Sequence, residues 1–206
     1  SRVSRGLGDV YKRQVLSTIS VRNDGYPFGS FVTFVTDVDR SILIYASNIA
    51  QHTINLKEDS KSCLTLFKID DDFDKQNSSR MTLLGDLKSL PNEEVETVKN
   101  RFENFLPESK KYAAMHDFNF YRLHINQVRW IGGFGKIAWL DAKKWEQHKP
   151  KWSSNESSII EHMNEDHSNN ISSALNAQHS IKDNEAKMLS LSICLLYTSD
   201  AADDTC

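Results

Sequence analysis

Two runs rich in β-branched residues, Val15 to Arg22 and Phe28 to Thr36, flank Asn23-Asp24-Gly25. That tripeptide is a turn signal tight enough to fold the chain back on itself as a β-hairpin. The alternation of short apolar runs and turns then continues. Asp37 to Arg40 turns into a strand over Ser41 to Tyr45, and Lys61 to Ile69 and Arg80 to Leu87 read as further strands. Phe118 to Ile125 and Val128 to Trp139 supply the last ones, with a bulge or sharp bend expected at Gly132-Gly133 and Gly135. Two stretches carry helical signals instead. One is capped by Ser47 or Asn48 and runs through Leu56. The other opens at Pro91 and repeats Val95, Val98, Phe102 and Phe105 at three- and four-residue spacing, until Pro107 stops it and starts a shorter helix through Met115. The sum predicts a mainly β fold with α insertions, a closed or partly closed antiparallel barrel rather than a parallel α/β sheet.

Both ends of the chain have another character. Ser4 to Gln14 and Cys194 to Asp204 read as translated sequencing adapter, because Asp9 to Gln14 and Cys194 to Ser199 can be encoded by opposite strands of one oligonucleotide. Residues 1–14 and 194–206 are therefore set aside, and the chain is expected to be a reading frame cut at both ends. The rest, about 180 residues, is enough for one sizeable domain and part of a second. The barrel is expected over 15–146 and a polar linker containing Pro150 over 147–158. A helical segment from Ile159 to Gln178 and an apolar run from Lys187 then form a truncated small α/β domain over 159–193.

With 25 basic and 28 acidic residues the net charge is −3. A mildly acidic chain has no general field for nucleic acid or an anionic membrane, and no apolar run approaches a membrane span. Outside the adapter runs Cys63 is alone, so no disulfide framework or Cys-based metal site is expected, which suits a reducing, cytoplasmic setting.

Few residues invite chemistry by type and position. Ser47 to Leu56 places a helix start directly after a strand, where free N–H groups and the dipole favour an anion. Ser47, His52 and Asn55 could reach a phosphate or carboxylate there; an ordinary capped surface helix is the alternative. Arg80 follows the acidic, aliphatic-free segment Asp70 to Ser79, read as an exposed loop. Its guanidinium suits a bidentate pair with phosphate or propionate, or a salt bridge to Asp70, Asp71 or Asp72. Ile131 to Lys136 is glycine-rich but fits neither the Walker nor the dinucleotide spacing, leaving Lys136 as a point charge beside a barrel corner. His162 and His167 are five apart, out of line on a helix, so a hydrogen-bonded His162–Asp166 pair is favoured over a metal. No catalytic triad or carboxylate pair is legible, and no catalytic residue is assigned.

Taken in order, several segments resemble the haem-utilisation (HugZ-type) family of flavin-binding split barrels, related to pyridoxamine phosphate oxidase. They are Gly25 to Ser30, Ser47 to Leu56, Arg80 to Gly85, Arg101-Phe102 through Ser109, Asp117 to Leu123, Gly132 to Lys136, and His162 to His167. The resemblance implies a homodimeric six-stranded split barrel with haem or FMN at the dimer interface, and a small companion α/β domain. It implies that Ser47, Gln51 and His52 meet a cofactor phosphate, and that Arg80 meets the cofactor or a haem propionate. Oxidase relatives carry Arg-Lys where this chain has Gln51-His52, which weakens phosphate binding. Haem-degrading members take their iron ligand from a tail histidine, a part open here to His148, between Trp145 and Trp152. The expected function is haem binding in haem utilisation, with oxidative opening of the macrocycle for iron release as its enzymatic form. An FMN-dependent oxidoreductase and a non-catalytic ligand-binding or regulatory module are the alternatives. No electron donor is identified by the sequence.

Overall fold

The computed structural model describes residues 14–67, 78–112, 115, 117–133, 135–145 and 150–191. The two adapter-like runs therefore lie outside the described residues, apart from Gln14, as do His148 and most of the acidic segment after Phe67. The barrel elements are β1 (Gln14–Ile19), β2 (Pro27–Ser30), β3 (Phe34–Thr36), β4 (Ile42–Ser47), α1 (Gln51–Glu58), β5 (Lys61–Phe67) and β6 (Arg80–Ser89). They continue with α2 (Asn92–Phe105), a 3-10 turn (Pro107–Tyr112), β7 (Phe118–Ile131), β8 (Ile137–Asp141) and α3 (Ala142–Trp145). A second 3-10 turn (Lys151–Asn155) leads into α4 (Glu156–Asp166) and α5 (Ser168–His179). No helix among the described residues is long and apolar enough to cross a membrane.

All the strands pair antiparallel in one sheet of eight, in the order β2-β1-β5-β6-β7-β4-β3 with β8 on β7. Six strands were expected. The difference has two sources. The run Phe28 to Thr36 divides at Phe31–Thr33 into β2, which pairs with β1, and β3, which pairs with β4. A single extended segment thus joins the two ends of the sheet and curls it into the barrel. The other extra strand is β8. One edge of β7 pairs with β6 along most of its length, while the other takes β4 at its start and β8 at its end.

Period-two alternation separates the faces. Leu16, Leu64, Leu66, Met81, Leu83, Leu123, Ile125 and Val128 fill the interior with Trp145 of α3. Outside β4 and β7, Val35, Leu43 and Phe120 meet Leu90, Val98 and Phe102, so the helical spacing read in α2 is its contact face. The outward residues of β5 and β6, including Cys63, Thr65, Arg80 and Thr82, stay half-exposed.

Gly132 to Lys136 makes the β7–β8 turn, closed by Gly132 N–H to Lys136 C=O at 2.9 Å. That is the sharp bend expected of this glycine run. The sheet's bulge sits elsewhere, between Leu84 and Gly85, opposite Gln127 and Ile125. A Cβ on Gly85 would lie 2.0 Å from the carbonyl oxygen of His124, so only glycine lets β7 approach here.

The expected helix from Ile159 to Gln178 is two helices meeting at His167, whose φ of −127° and ψ of 23° leave the helical region. The apolar run from Lys187 forms no regular element over its described residues. It is held by side chains instead. Asn164 exchanges two hydrogen bonds with the Met188 backbone (2.8 and 3.0 Å), and the Leu191 N–H donates to Glu156 at 2.7 Å.

Gly85→Ala is expected to destabilise the protein by about 2–3 kcal/mol, since either the His124 backbone or the bulge must shift. Thermal unfolding followed by circular dichroism reads it; an unchanged midpoint would refute the close approach.

Candidate functional site

Among the expected ligand residues, four lie where β4 runs into α1. Ser47 does not cap that helix. Its hydroxyl donates to the Asp117 carboxylate and accepts the Ile49 N–H at 3.3 Å. Asn48 is also committed, its side-chain oxygen accepting from Asn119 at 2.9 Å and its N–H bonding to the Asp117 carbonyl at 2.7 Å. The N-cap is Ala50, with no side-chain hydrogen bond.

Asn55 is 0% exposed. Its NH₂ donates to Thr18 at 2.9 Å, and its oxygen accepts from Gln51 at 2.9 Å and from the Val21 N–H at 3.3 Å. Those bonds fasten α1 to β1, and full burial keeps the amide away from any anion at the surface. Burial lowers the His52 pKa and keeps its imidazole neutral. Its Nε2 is buried and has no hydrogen-bond partner among the described residues. An anion at this end would meet a neutral imidazole, bare helix amides and the Asp117 carboxylate. In one chain that is a weak phosphate site.

Arg80 and Lys136 stand at the other end of the barrel. Arg80 opens β6 opposite Ile131, which in turn pairs with Ile137, the neighbour of Lys136. Arg80 donates to the Ser78 carbonyl at 3.3 Å and points outward, since the next residue, Met81, is buried in the barrel. Ser47 is paired with Phe118 and Arg80 with Ile131, at opposite ends of β7. Thirteen residue steps of strand correspond to roughly 40 Å along the chain. Within one protomer, therefore, Ser47 and His52 stand at one end of the barrel and Arg80 at the other.

Two residues absent from the expected set complete the Arg80 end. Arg129 and Trp139 face each other across the β7–β8 hairpin, with the Arg129 guanidinium carbon 4.8 Å from the Trp139 ring centroid. Period-two reading of Val128 to Trp139 through the glycine turn places them on one face, so the signal was in the sequence. His162 Nδ1 lies 2.8 Å from Asp166, the expected pair, and its ring meets His167 edge-on at 4.9 Å. No cluster of three His, Cys, Asp or Glu side chains able to hold a metal occurs among the described residues.

The curled antiparallel sheet, closed by the β2–β3 segment and carrying its helices outside, is a split β-barrel. Residues 1–147 match the family model described as CREG, beta-barrel, and the chain belongs to that family. It is 27% identical over 183 residues to the non-canonical heme oxygenase HOZ, chloroplastic, of Arabidopsis thaliana, a match covering 86% of this chain and 56% of that protein. The chain thus spans little more than half the length of this curated relative. The structure is similar to a heme binding protein from Mycobacterium smegmatis (TM-score 0.61, 22% identity, 85% of this chain and 72% of that one). A protein of unknown function from Agrobacterium tumefaciens is also similar (TM-score 0.69, 19% identity, 92% and 78% of the two chains).

The state of His52 has a consequence for stability. Unfolded, its pKa returns to about 6.5, above the folded value. The unfolded chain therefore binds the proton first, and stability falls as pH drops below about 6.5 towards the folded value. His52→Gln removes that contribution, so its thermal midpoint is expected to fall less than the parent's between pH 7 and 5. Parallel falls would show that His52 is not held neutral.

Proposed function

We propose that this protein binds haem in haem utilisation, on the outer face of the β6–β7–β8 sheet. The observation that carries this reading is the uneven placement of charge. Arg80 and Lys136 stand at one end of the sheet with the exposed apolar residues Ile137 and Trp139 beside them, whereas the α1 end offers a neutral His52 and the Asp117 carboxylate. A flat macrocycle with acidic substituents suits the first surface and not the second. The names of the Arabidopsis and Mycobacterium relatives, a heme oxygenase and a heme binding protein, support the same ligand.

A second copy of the chain is the proposed cover for this face. Val15, Ile137 and Trp139 are exposed large apolar residues on its side of the barrel, and a homodimer would bury them around the ligand. Dimerisation would also allow the α1 end of one protomer to approach the Arg80 end of its partner. In such an assembly FMN could find its cation, which makes FMN binding the alternative outcome of the test below.

His148 is the proposed iron ligand. Trp145, just before it, is anchored in the barrel core and donates its indole N–H to the Arg40 carbonyl at 3.4 Å, so the tail starts from a fixed point. Bound haem would supply the oxygen chemistry if the macrocycle is opened; the chain's part is to hold, orient and shield it. A reducing compartment such as the cytoplasm suits the unpaired Cys63.

Haemin titration followed by visible absorption tests the reading. A saturable Soret shift at about one haem per chain is expected. Arg80→Ala should weaken binding about tenfold or more, the scale of a charge-assisted hydrogen bond. Binding of FMN and not haemin would move the protein to the flavin oxidoreductases. Haem binding without turnover, when reductant and oxygen are supplied, would mark a non-catalytic module.

A further inference from the structure

Arg129 leaves β7 on the outer face, since its neighbour Val128 is buried in the barrel. Across the hairpin it lies over Trp139, a ring that is itself 52% exposed. Among the described residues its guanidinium has no carboxylate partner and no hydrogen-bond acceptor. Arg40, Arg101 and Arg122 contrast with it, each donating to a protein oxygen. Arg129 is thus oriented by a ring stack while its donors stay available.

Its position relative to Arg80 gives this a direction. Arg80 pairs with Ile131 and Thr82 with Arg129, so the two arginines are diagonal neighbours on one face of adjacent strands. Such positions are about 7–8 Å apart. Thr65 and Thr82 lie in the same cross-strand row as Arg129 and Trp139 and add hydroxyls. Two guanidinium groups so placed can each direct a donor at one ligand that carries two acidic groups. The exposed indole beside them offers a flat apolar contact.

We propose that Arg129, oriented by Trp139, is a second anion-binding group of this site. The ligand recognised is then a flat aromatic molecule bearing two acidic groups a few ångströms apart, one for each arginine. This deepens the haem reading and rests on it, because it requires both carboxylates of the macrocycle and not one.

The chain is titrated with haemin and with haemin dimethyl ester, in which both carboxylates are masked, for the parent, Arg129→Gln and Arg129→Lys. Thermal midpoints serve as the folding control. Arg129→Gln is expected to weaken haemin binding about tenfold or more, with Arg129→Lys recovering part of the loss and the ester unaffected by either change. Unchanged haemin affinity in Arg129→Gln overturns the inference and leaves the haem reading standing. Equal losses for haemin and the ester overturn it too, since Arg129 would then act by packing. If the parent binds neither compound, the haem reading falls and takes this inference with it.

Discussion

Arg101 and Arg122 converge on the carboxylate of Asp37, between the barrel and its helices. Arg122 donates to Asp37 at 2.8 Å and also to Glu94 at the start of α2. Arg101, on α2, donates to the Thr36 carbonyl at 3.0 Å, stands 3.7 Å from Asp37, and reaches Glu156 at 3.5 Å and the Leu191 carbonyl at 3.0 Å. Side chains of both arginines and of Asp37 are largely buried. Charges so far from water are tolerable only when paired, and removing one member of such a set typically costs about 3–5 kcal/mol. The end of β3, β7, α2 and the C-terminal helices are therefore one connected unit. This network and the Val98–Phe102 contacts commit α2 to the outside of β4 and β7, and the outward residues of β5, β6 and β8 stay at least half-exposed among the described residues. The candidate site is where the helices are not.

Local signals were legible and non-local ones were not. The Asn23-Asp24-Gly25 turn, the alternating strands and the Val98–Phe102 face of α2 all follow from spacing within a few residues. What closes the barrel does not. That β2 and β3 serve opposite ends of the sheet depends on which strands they pair with, and register is set by partners far away in sequence. The glycine run after Ile131 announced its bend, whereas Gly85 gave no local sign that a bulge would form opposite it. His167 breaks a helix that periodicity ran straight through, since apolar spacing is blind to a single residue leaving helical φ and ψ.

The site failed to read cleanly for a related reason. Asn55 looked like a ligand residue because it is polar, on a helix and near other polar residues; the same qualities let it fasten that helix to Thr18 and Val21. Residue type cannot distinguish the two roles, and only burial does. Ser47 is similar, its hydroxyl spent on Asp117, a residue seventy positions away. Arg129 and Trp139 are the converse case. Neither belongs to a motif, and their pairing shows only when the period-two alternation is carried through the glycine turn.

The orientation of α1 links these observations. Its inward residues Thr53 and Asn55 are polar, while Ile49, just before it, is 80% exposed and Ile54 is exposed as well. Leu56 packs against the barrel core beside Thr53 and Asn55, so the outward side of α1 combines Ile54 with the charged Lys57 and Glu58. Its apolar residues favour contact with another protein surface or a flat ligand. Cations stand on the β6–β7–β8 face, where Trp139 orients Arg129 and the Ser78 carbonyl accepts from Arg80. A ligand with acidic groups held by this chain would put its acidic edge there, and Ile49 and Ile54 offer α1's apolar contact.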